Sequence, residues 1–342
     1  VKVLITGISG RIGANLAKAL LEDGHAVRGL VWPKDRRPVK FEGLDVELLE
    51  GDLADAASVG RAVEGMDVVC HLGAAFQGGG PFDEEDYFRT NVRGTFNVLE
   101  AARQHAGRLQ HLFFASTDAA YRKYIPGGMP HPIREDAMPM LPVGWYPLSK
   151  QLGEDMCLGY HRAYGLPVTV FRFSMTVAGD EILRYPQFYL DYWLQAYETK
   201  TGQDAEQVYR QLRRLRQEGQ AQLLLARDSK GRSYKKHIAD VRDITAAFTA
   251  ALGKPEVIGE VFQLGGPGPF TWEEAIPYMA GKLGLDYVDV CLEAQVPTFY
   301  EFDLEKSVRL FGYHPQYDIF KMIDSALRVR QGQEPDVIPT YV

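Results

Sequence analysis

A chain that passes from an apolar run through Gly7-Ile8-Ser9-Gly10-Arg11-Ile12-Gly13 into an amphipathic run has few folds open to it. Residues 1–6 are the apolar run. Residues 12–22 carry Ile12, Leu16, Ala19 and Leu20 on one helical face. A strand, a glycine turn and a helix in that order place unpaired helix N–H groups and partial positive charge where a pyrophosphate can sit. The glycines let main chain approach a ligand and helix approach strand. A plain strand–helix turn uses the same spacing, so its meaning depends on the rest of the chain.

Beyond the turn, strands and helices alternate. Short apolar strands are expected at 26–31, 46–49, 67–72, 111–115 and 168–173, the second of these ending at Gly51-Asp52-Leu53. Helices are expected within 82–106 and over 146–164, the second stopping at Gly165-Leu166-Pro167. Strands separated by helices imply a parallel sheet with right-handed crossovers. The expected fold class is α/β: a Rossmann-type doubly wound parallel sheet with a smaller C-terminal α/β substrate-binding lobe. The sheet domain is drawn at 1–173 with a returning segment at about 226–252. The lobe is drawn at 174–225 and 253–342, with a strand at 221–226.

Composition narrows the partners. The 342 residues are 46 % hydrophobic, enough for a large core, and carry a net charge of −7. An acidic chain of this kind is not expected to bind nucleic acid or an anionic membrane. No apolar run approaches the roughly 20 residues that span a bilayer. Three cysteines, Cys70, Cys157 and Cys291, form no CxxC pair, so neither a disulfide framework nor a metal site is expected. No basic and apolar leader precedes the first strand, and a cytoplasmic location is the expectation.

Several ordered motifs carry a resemblance. Gly51-Asp52-Leu53, His71-Leu72-Gly73-Ala74-Ala75, Asn91-Val92-Arg93-Gly94-Thr95, His237-Ile238-Ala239-Asp240-Val241 and the stretch 303–313 come after the glycine turn in that order. Together they resemble the extended short-chain dehydrogenase/reductase superfamily, specifically its NAD-dependent epimerase/dehydratase family. The resemblance implies cofactor contacts from Gly7, Ser9, Gly10, Arg11, Ile12, Gly13, Asp52, Leu53, Leu72, Ala74, Asn91, Tyr146 and Lys150. Within that set Asp52 would meet the adenine and Asn91 would brace the central sheet. It also implies a homodimer formed by the helices at 88–103 and 146–164.

Tyr146 and Lys150 form YxxxK, and i, i+4 spacing puts both on one helix face. A tyrosine of ordinary pKa about 10 is a poor base at neutral pH, and a nearby ammonium is expected to favour its phenolate. Phe113-Phe114-Ala115-Ser116-Thr117-Asp118 ends the fifth strand, where the family resemblance places a catalytic hydroxyl, here Thr117. Asp118 stands where sugar-nucleotide dehydratases carry an acidic pair, but Ala119 replaces the second acid. Asp118 is open as an acid/base, a substrate ligand or a helix cap.

Two departures leave the specificity open. Val31 occupies the position of the acid that would bind the adenosine ribose, while Asp35 lies a few residues later. Lys34, Arg36, Arg37 and Arg11 offer a 2′-phosphate site instead, so the cofactor is NAD or NADP, with NAD preferred. Met175 replaces the asparagine that contacts substrate in nucleotide-sugar enzymes. Thr117, Met175 and Arg232 are the expected substrate residues. The insert 179–219 starts with Tyr185, Phe188, Tyr189, Tyr192 and Trp193, which serve either to stack on substrate or as core. Its basic run, 210–216, serves either to meet a diphosphate or as a solvated face. The expected activity is a sugar or nucleotide-sugar epimerase or oxidoreductase. A dehydrogenase or reductase of a free sugar, sugar acid or other small carbonyl substrate is the alternative, and a dinucleotide-binding redox sensor the third.

Overall fold

The computed structural model describes residues 1–76, 80, 82–136, 139–219, 222–293, 295–333 and 337–340. Its centre is a sheet of seven parallel strands. These are β1 (Lys2–Thr6), β2 (Ala26–Val31), β3 (Val46–Glu50), β4 (Val68–His71), β5 (His111–Thr117), β6 (Val168–Phe173) and, after short strands β7 (Thr176–Val177), β8 (Leu223–Arg227), β9 (Lys235–Lys236) and β10 (Ala239–Asp240), β11 (Val261–Leu264). The order is β3-β2-β1-β4-β5-β6-β11, so the direction of winding reverses between β1 and β4. Ligands of open α/β sheets bind at the carboxyl ends of the strands at such a switch.

The strand residues explain the layering. β4, β5 and β6 are buried at every position, as expected for parallel strands covered on both faces. Alternate residues then serve opposite cores. Val3, Ile5, Cys70, Phe113, Phe171 and Phe262 join α1 (Arg11–Glu22) and α8 (Val241–Ala251) on one face. Leu4, Val69, Leu112, Phe114 and Val170 meet α2 (Ala56–Val63), α4 (Gly94–Gln104) and α5 (Trp145–Tyr164) on the other. Gly165, at φ 69°, ends α5 in the left-handed conformation that a glycine adopts without strain.

The helix expected within 82–106 is in three pieces. A single turn, α3 (Glu84–Tyr87), runs into a π-helical segment, Phe88–Arg93, and then into α4. The π segment carries Asn91, and such segments recur at functional sites.

The domain boundaries drawn from sequence need revision. Val261–Leu264, assigned to the lobe, pairs with β6 as the edge strand of the main sheet. The helix α10 (Glu305–Phe311), which comes after α9 (Trp272–Leu283) in the chain, packs on it, and Phe311 and Tyr313 enter the sheet core. Four residues are too few for periodicity to tell a strand from a piece of buried helix, so their place depends on the partner strand. The lobe strand β8 runs on to Arg227, past the start drawn for the returning segment: it pairs with β13 (Tyr287–Cys291), while the start of the expected strand, residue 221, lies outside the described residues. The short strand β12 (Phe270–Thr271) pairs with β9.

The lobe core is aromatic. Tyr185, Phe188, Trp193, Tyr197, Tyr234 and Trp272 pack with α6 (Leu190–Glu198), α7 (Gln203–Gln217), α9 and α11 (Ile319–Arg330). The aromatic start of the 179–219 insert is therefore core. The basic run is a solvated face: Arg210, Arg214 and Arg216 pair with Glu206, Glu218 and Asp191 at exposed positions. No helix of the described residues is long and apolar enough to cross a membrane.

Candidate active site

Close approach at the β1–β4 switch depends on glycine. Gly7 has φ +68°, and a Cβ there would lie 2.7 Å from the main chain of Gly73. A Cβ on Gly13 would lie 2.4 Å from the Gly7 carbonyl oxygen, so α1 can sit this near β1 only without one. Gly10 is the N-cap of α1, and no side chain caps that end. The first-turn N–H groups have no partner within the helix, and an anion is their natural complement. This cradle fits the pyrophosphate of a dinucleotide.

A chain of hydroxyls holds the crevice open. The Gly73 N–H donates to Thr6 Oγ1 at 3.0 Å, and that hydroxyl lies 2.7 Å from His71 Nδ1. His71 Nε2 is 3.0 Å from Thr95 Oγ1, which donates to the Asn91 carbonyl. The network assigns the proton of His71 to Nε2. Burial first, and repulsion from Lys150 second, hold His71 at a pKa of about 3, so it is neutral. It is a structural link between β1, β4 and the π segment.

The reacting corner lies at the end of β5. Thr117 terminates the strand and caps the short turn Asp118–Ala120, its hydroxyl accepting from the Ala119 N–H at 3.1 Å. The phenol of Tyr146, from the first turn of α5, lies near enough to this hydroxyl for Thr117 to affect its titration. Burial raises the phenol's pKa; Thr117 lowers it but does not win, and Asp118 raises it further. Lys150 contributes nothing resolved to that balance, so the expected lowering by the ammonium is not present in this arrangement. Lys150 itself is buried, its Nζ 4.3 Å from the centre of the Phe114 ring, and burial lowers its pKa to about 8. Phe76 meets the Tyr146 ring edge-on at 5.3 Å.

Asn91 connects these parts. Its Nδ2 donates to the Ala75 carbonyl at 3.0 Å and to Ser149 Oγ at 2.8 Å, and its Oδ1 accepts from the Ala75 N–H. Expected among the cofactor contacts, its amide is committed to protein on both sides, and its bracing role is the one visible.

Against this geometry, the family model for "NAD dependent epimerase/dehydratase family" matches residues 3–265. The chain belongs to the NAD-dependent epimerase/dehydratase family. Within it, the chain is 28 % identical over 285 residues to an uncharacterized UDP-glucose epimerase of Bacillus subtilis, covering 78 % of this chain and 77 % of that one. It is 32 % identical over 172 residues to a uronate dehydrogenase of Pseudomonas syringae, covering 50 % of this chain and 58 % of that one. A crystal structure of a short-chain dehydrogenase/reductase superfamily protein from Agrobacterium tumefaciens with bound NAD superimposes with a TM-score of 0.81 at 29 % identity, over 97 % of this chain and 98 % of that one.

For a family member, some expected site residues are turned to other work. The Arg11 guanidinium grips Glu181 through two bonds, at 2.7 and 2.8 Å, and reaches Thr340 Oγ1, leaving its main chain at the turn. Met175 packs against the lobe core. Arg232 donates to Asp228 and to the Gly127 carbonyl, both at 2.7 Å, and lies over Phe299. Asp52 stays half-exposed at the end of β3, accepting from the Ala54 N–H. Leu53 faces Gly73, while Leu72 and Ala74 line the chain leaving β4.

Other groups emerge only in three dimensions. Ser9 donates its hydroxyl to Asp35, and Arg37 grips the same carboxylate at 2.8 and 2.7 Å. Burial pushes Asp35 up, but the bonds from Arg37 and Ser9 outweigh it and hold the carboxyl at about 2. Lys40 is buried behind the turn, donating to the carbonyls of Ser9 and Thr340. Lys123, paired with Asp118, and Lys236, on Tyr185, are both buried, and sequence reading did not single them out. No spacing signal marks them, because one sits in an irregular loop and the other in a two-residue strand.

Proposed function

We propose that this family member catalyses reversible hydride transfer at a hydroxyl-bearing carbon of a sugar-type substrate, with NAD as the hydride acceptor. The observation that carries the reading is the meeting of Thr117, at the end of β5, with Tyr146, in the first turn of α5, beside the glycine cradle. NAD would supply a two-electron sink: the carbinol carbon loses a hydride and its hydroxyl a proton, leaving a carbonyl, NADH and a proton. Tyr146 takes that proton, Thr117 orients the substrate oxygen, and Lys150 holds the cofactor ribose. Gly7, Gly10, Gly13 and the N-terminus of α1 hold the pyrophosphate, with Ile12, Asp52, Leu53, Leu72 and Ala74 along the nucleotide.

Asp35 favours NAD over NADP. A carboxylate held ionised beside Ser9 accepts ribose hydroxyls and repels a 2′-phosphate. Arg37 is already engaged by that carboxylate, and Arg11 by Glu181.

Between epimerase and dehydrogenase, a net oxidation of a substrate without a nucleotide is favoured. Arg232, Arg210, Arg214 and Arg216 have protein partners, and the insert aromatics have core positions. Elimination chemistry is disfavoured because Asp118 is ion-paired with Lys123 and Ala119 supplies no second acid. The test is incubation with NAD and a panel of free and nucleotide-linked sugars. Net NAD reduction supports a dehydrogenase, epimer formation without net reduction an epimerase, and neither product from any substrate sinks the reading.

A homodimer is part of the proposal. Trp145, Leu148 and Leu152 form an exposed apolar row on α5, and Phe88 and Phe96 stand exposed on the neighbouring helical run.

A further inference from the structure

Lys236 is 5 % exposed, yet among the described residues it has no ion-pair partner. Its Nζ donates to the Tyr185 hydroxyl, a neutral acceptor, and lies 4.7 Å from the centre of the Tyr185 ring. Its neighbour Lys123, 3 % exposed, ion-pairs Asp118 at 2.9 Å and donates to the Asp118 carbonyl at 2.8 Å. The same Lys123 lies over Tyr124 and Tyr300, at 5.5 and 5.2 Å from their ring centres. Two buried ammonium groups therefore have one nearby carboxylate between them, and only Lys123 touches it. Lys236 is within electrostatic reach of both Lys123 and Asp118, so this is a single cluster.

A buried charge is tolerated when it is paired and hydrogen-bonded. Phenol oxygens and ring faces stabilise a cation only in part. The cluster thus carries a surplus of one positive charge, and it sits against Asp118, the residue next to Thr117 in the chain. Asp118 acts in turn on the Tyr146 phenol, so the cluster borders the corner where a substrate hydroxyl would meet Tyr146. The other cations that border the cluster are spent: Lys235 on Glu301, and Arg232 on Asp228.

We propose that Lys236, backed by Lys123, is the subsite for a carboxylate on the substrate, and that the substrate is a sugar acid. This rests on the reading that Thr117 and Tyr146 act on a sugar hydroxyl. One unit of surplus charge matches one carboxylate. A phosphate brings up to two charges and calls for the bidentate arginines that are engaged elsewhere. The Tyr124, Tyr185 and Tyr300 side chains around the ammonium groups supply apolar walls and hydroxyls, a lining suited to a small polyol.

The experiment compares kcat/KM for NAD reduction by hexuronates and hexonates with the matched neutral hexoses, hexose 6-phosphates and a UDP-hexose. It uses the wild-type chain, Lys236→Met and Lys236→Arg. Melting curves and NAD affinity report that each variant is folded. In the wild type the acids should exceed the neutral sugars by about 100-fold or more, the scale of a desolvated charge-assisted pair. Lys236→Met should collapse that ratio to under about tenfold, and Lys236→Arg should restore part of it. A ratio unmoved by Lys236→Met, or neutral or phosphorylated sugars used as well as the acids, overturns the inference while leaving the hydride-transfer reading intact. If no sugar reduces NAD, calorimetry of a hexuronate on the NAD-loaded protein still decides. Binding that Lys236→Met abolishes upholds the subsite, and no binding overturns it.

Discussion

The Asn91 amide donates to the Ser149 hydroxyl at 2.8 Å, and that hydroxyl donates to the Tyr146 carbonyl at 2.8 Å. The π segment is thereby tied to the first turn of α5, at the main chain of the proposed acid/base. Asn91→Ala strands the Ala75 N–H and carbonyl in a buried site, which should cost about 1–3 kcal/mol for the unmade bonds. Urea unfolding checks the stability. Because Asn91 acts through Tyr146 rather than on substrate, kcat should fall more than KM rises, with the position of the pH profile unmoved.

Tyr146→Phe should lower kcat by about 10²–10⁴-fold, the usual size of a general acid–base contribution. NAD affinity, followed by fluorescence quenching, should stay within a few-fold. Since burial raises the phenol's pKa, wild-type oxidation should speed up as pH rises through the alkaline range. Retained turnover in Tyr146→Phe removes the proposed proton transfer.

Replacing the acid near the glycine turn tests cofactor choice. Asp35→Ser should cut the preference for NAD over NADP by about 10- to 100-fold, by losing acceptors for ribose hydroxyls and freeing Arg37. Steady-state kinetics with both cofactors reads this directly. An unchanged preference would mean that Asp35 only anchors the Ser9 turn.

Acid sensitivity arises from buried histidines, His237 among them, whose pKa burial also lowers. Burial holds His71 and His111 each at a pKa of about 3, below the ordinary 6.5. The unfolded chain takes up their protons below 6.5 while the folded chain does not, so stability is lost as pH falls from 6.5 toward 3. Each histidine contributes about 1.4 kcal/mol of loss per pH unit across that window. Urea midpoints at pH 7, 6 and 5 should drop accordingly, and His111→Gln should flatten the slope.

The exposed row on α5 predicts the assembly. Leu148→Glu with Leu152→Glu should turn a dimer into a monomer in light scattering, because charges cannot be desolvated in an apolar contact. A wild-type monomer at micromolar concentration would dispose of the dimer.

The strand–helix alternation, the glycine turn and the positions of Thr117, Tyr146 and Lys150 were legible in the chain itself. They are local: a strand or helix declares its period over a few residues, and Gly13 is required by contacts within one turn. Three matters depended on the tertiary structure. The four residues Val261–Leu264 became a sheet strand only through their register with Val170–Phe173. Asp35 reached the glycine turn through a loop, and Arg11 turned away toward Glu181. The surplus charge at Lys236 arises from residues 118, 123, 185 and 236 brought together by folding. Periodicity encodes which face of an element is buried. Whether a buried charge finds a partner depends on which distant segments meet, and no local pattern records that.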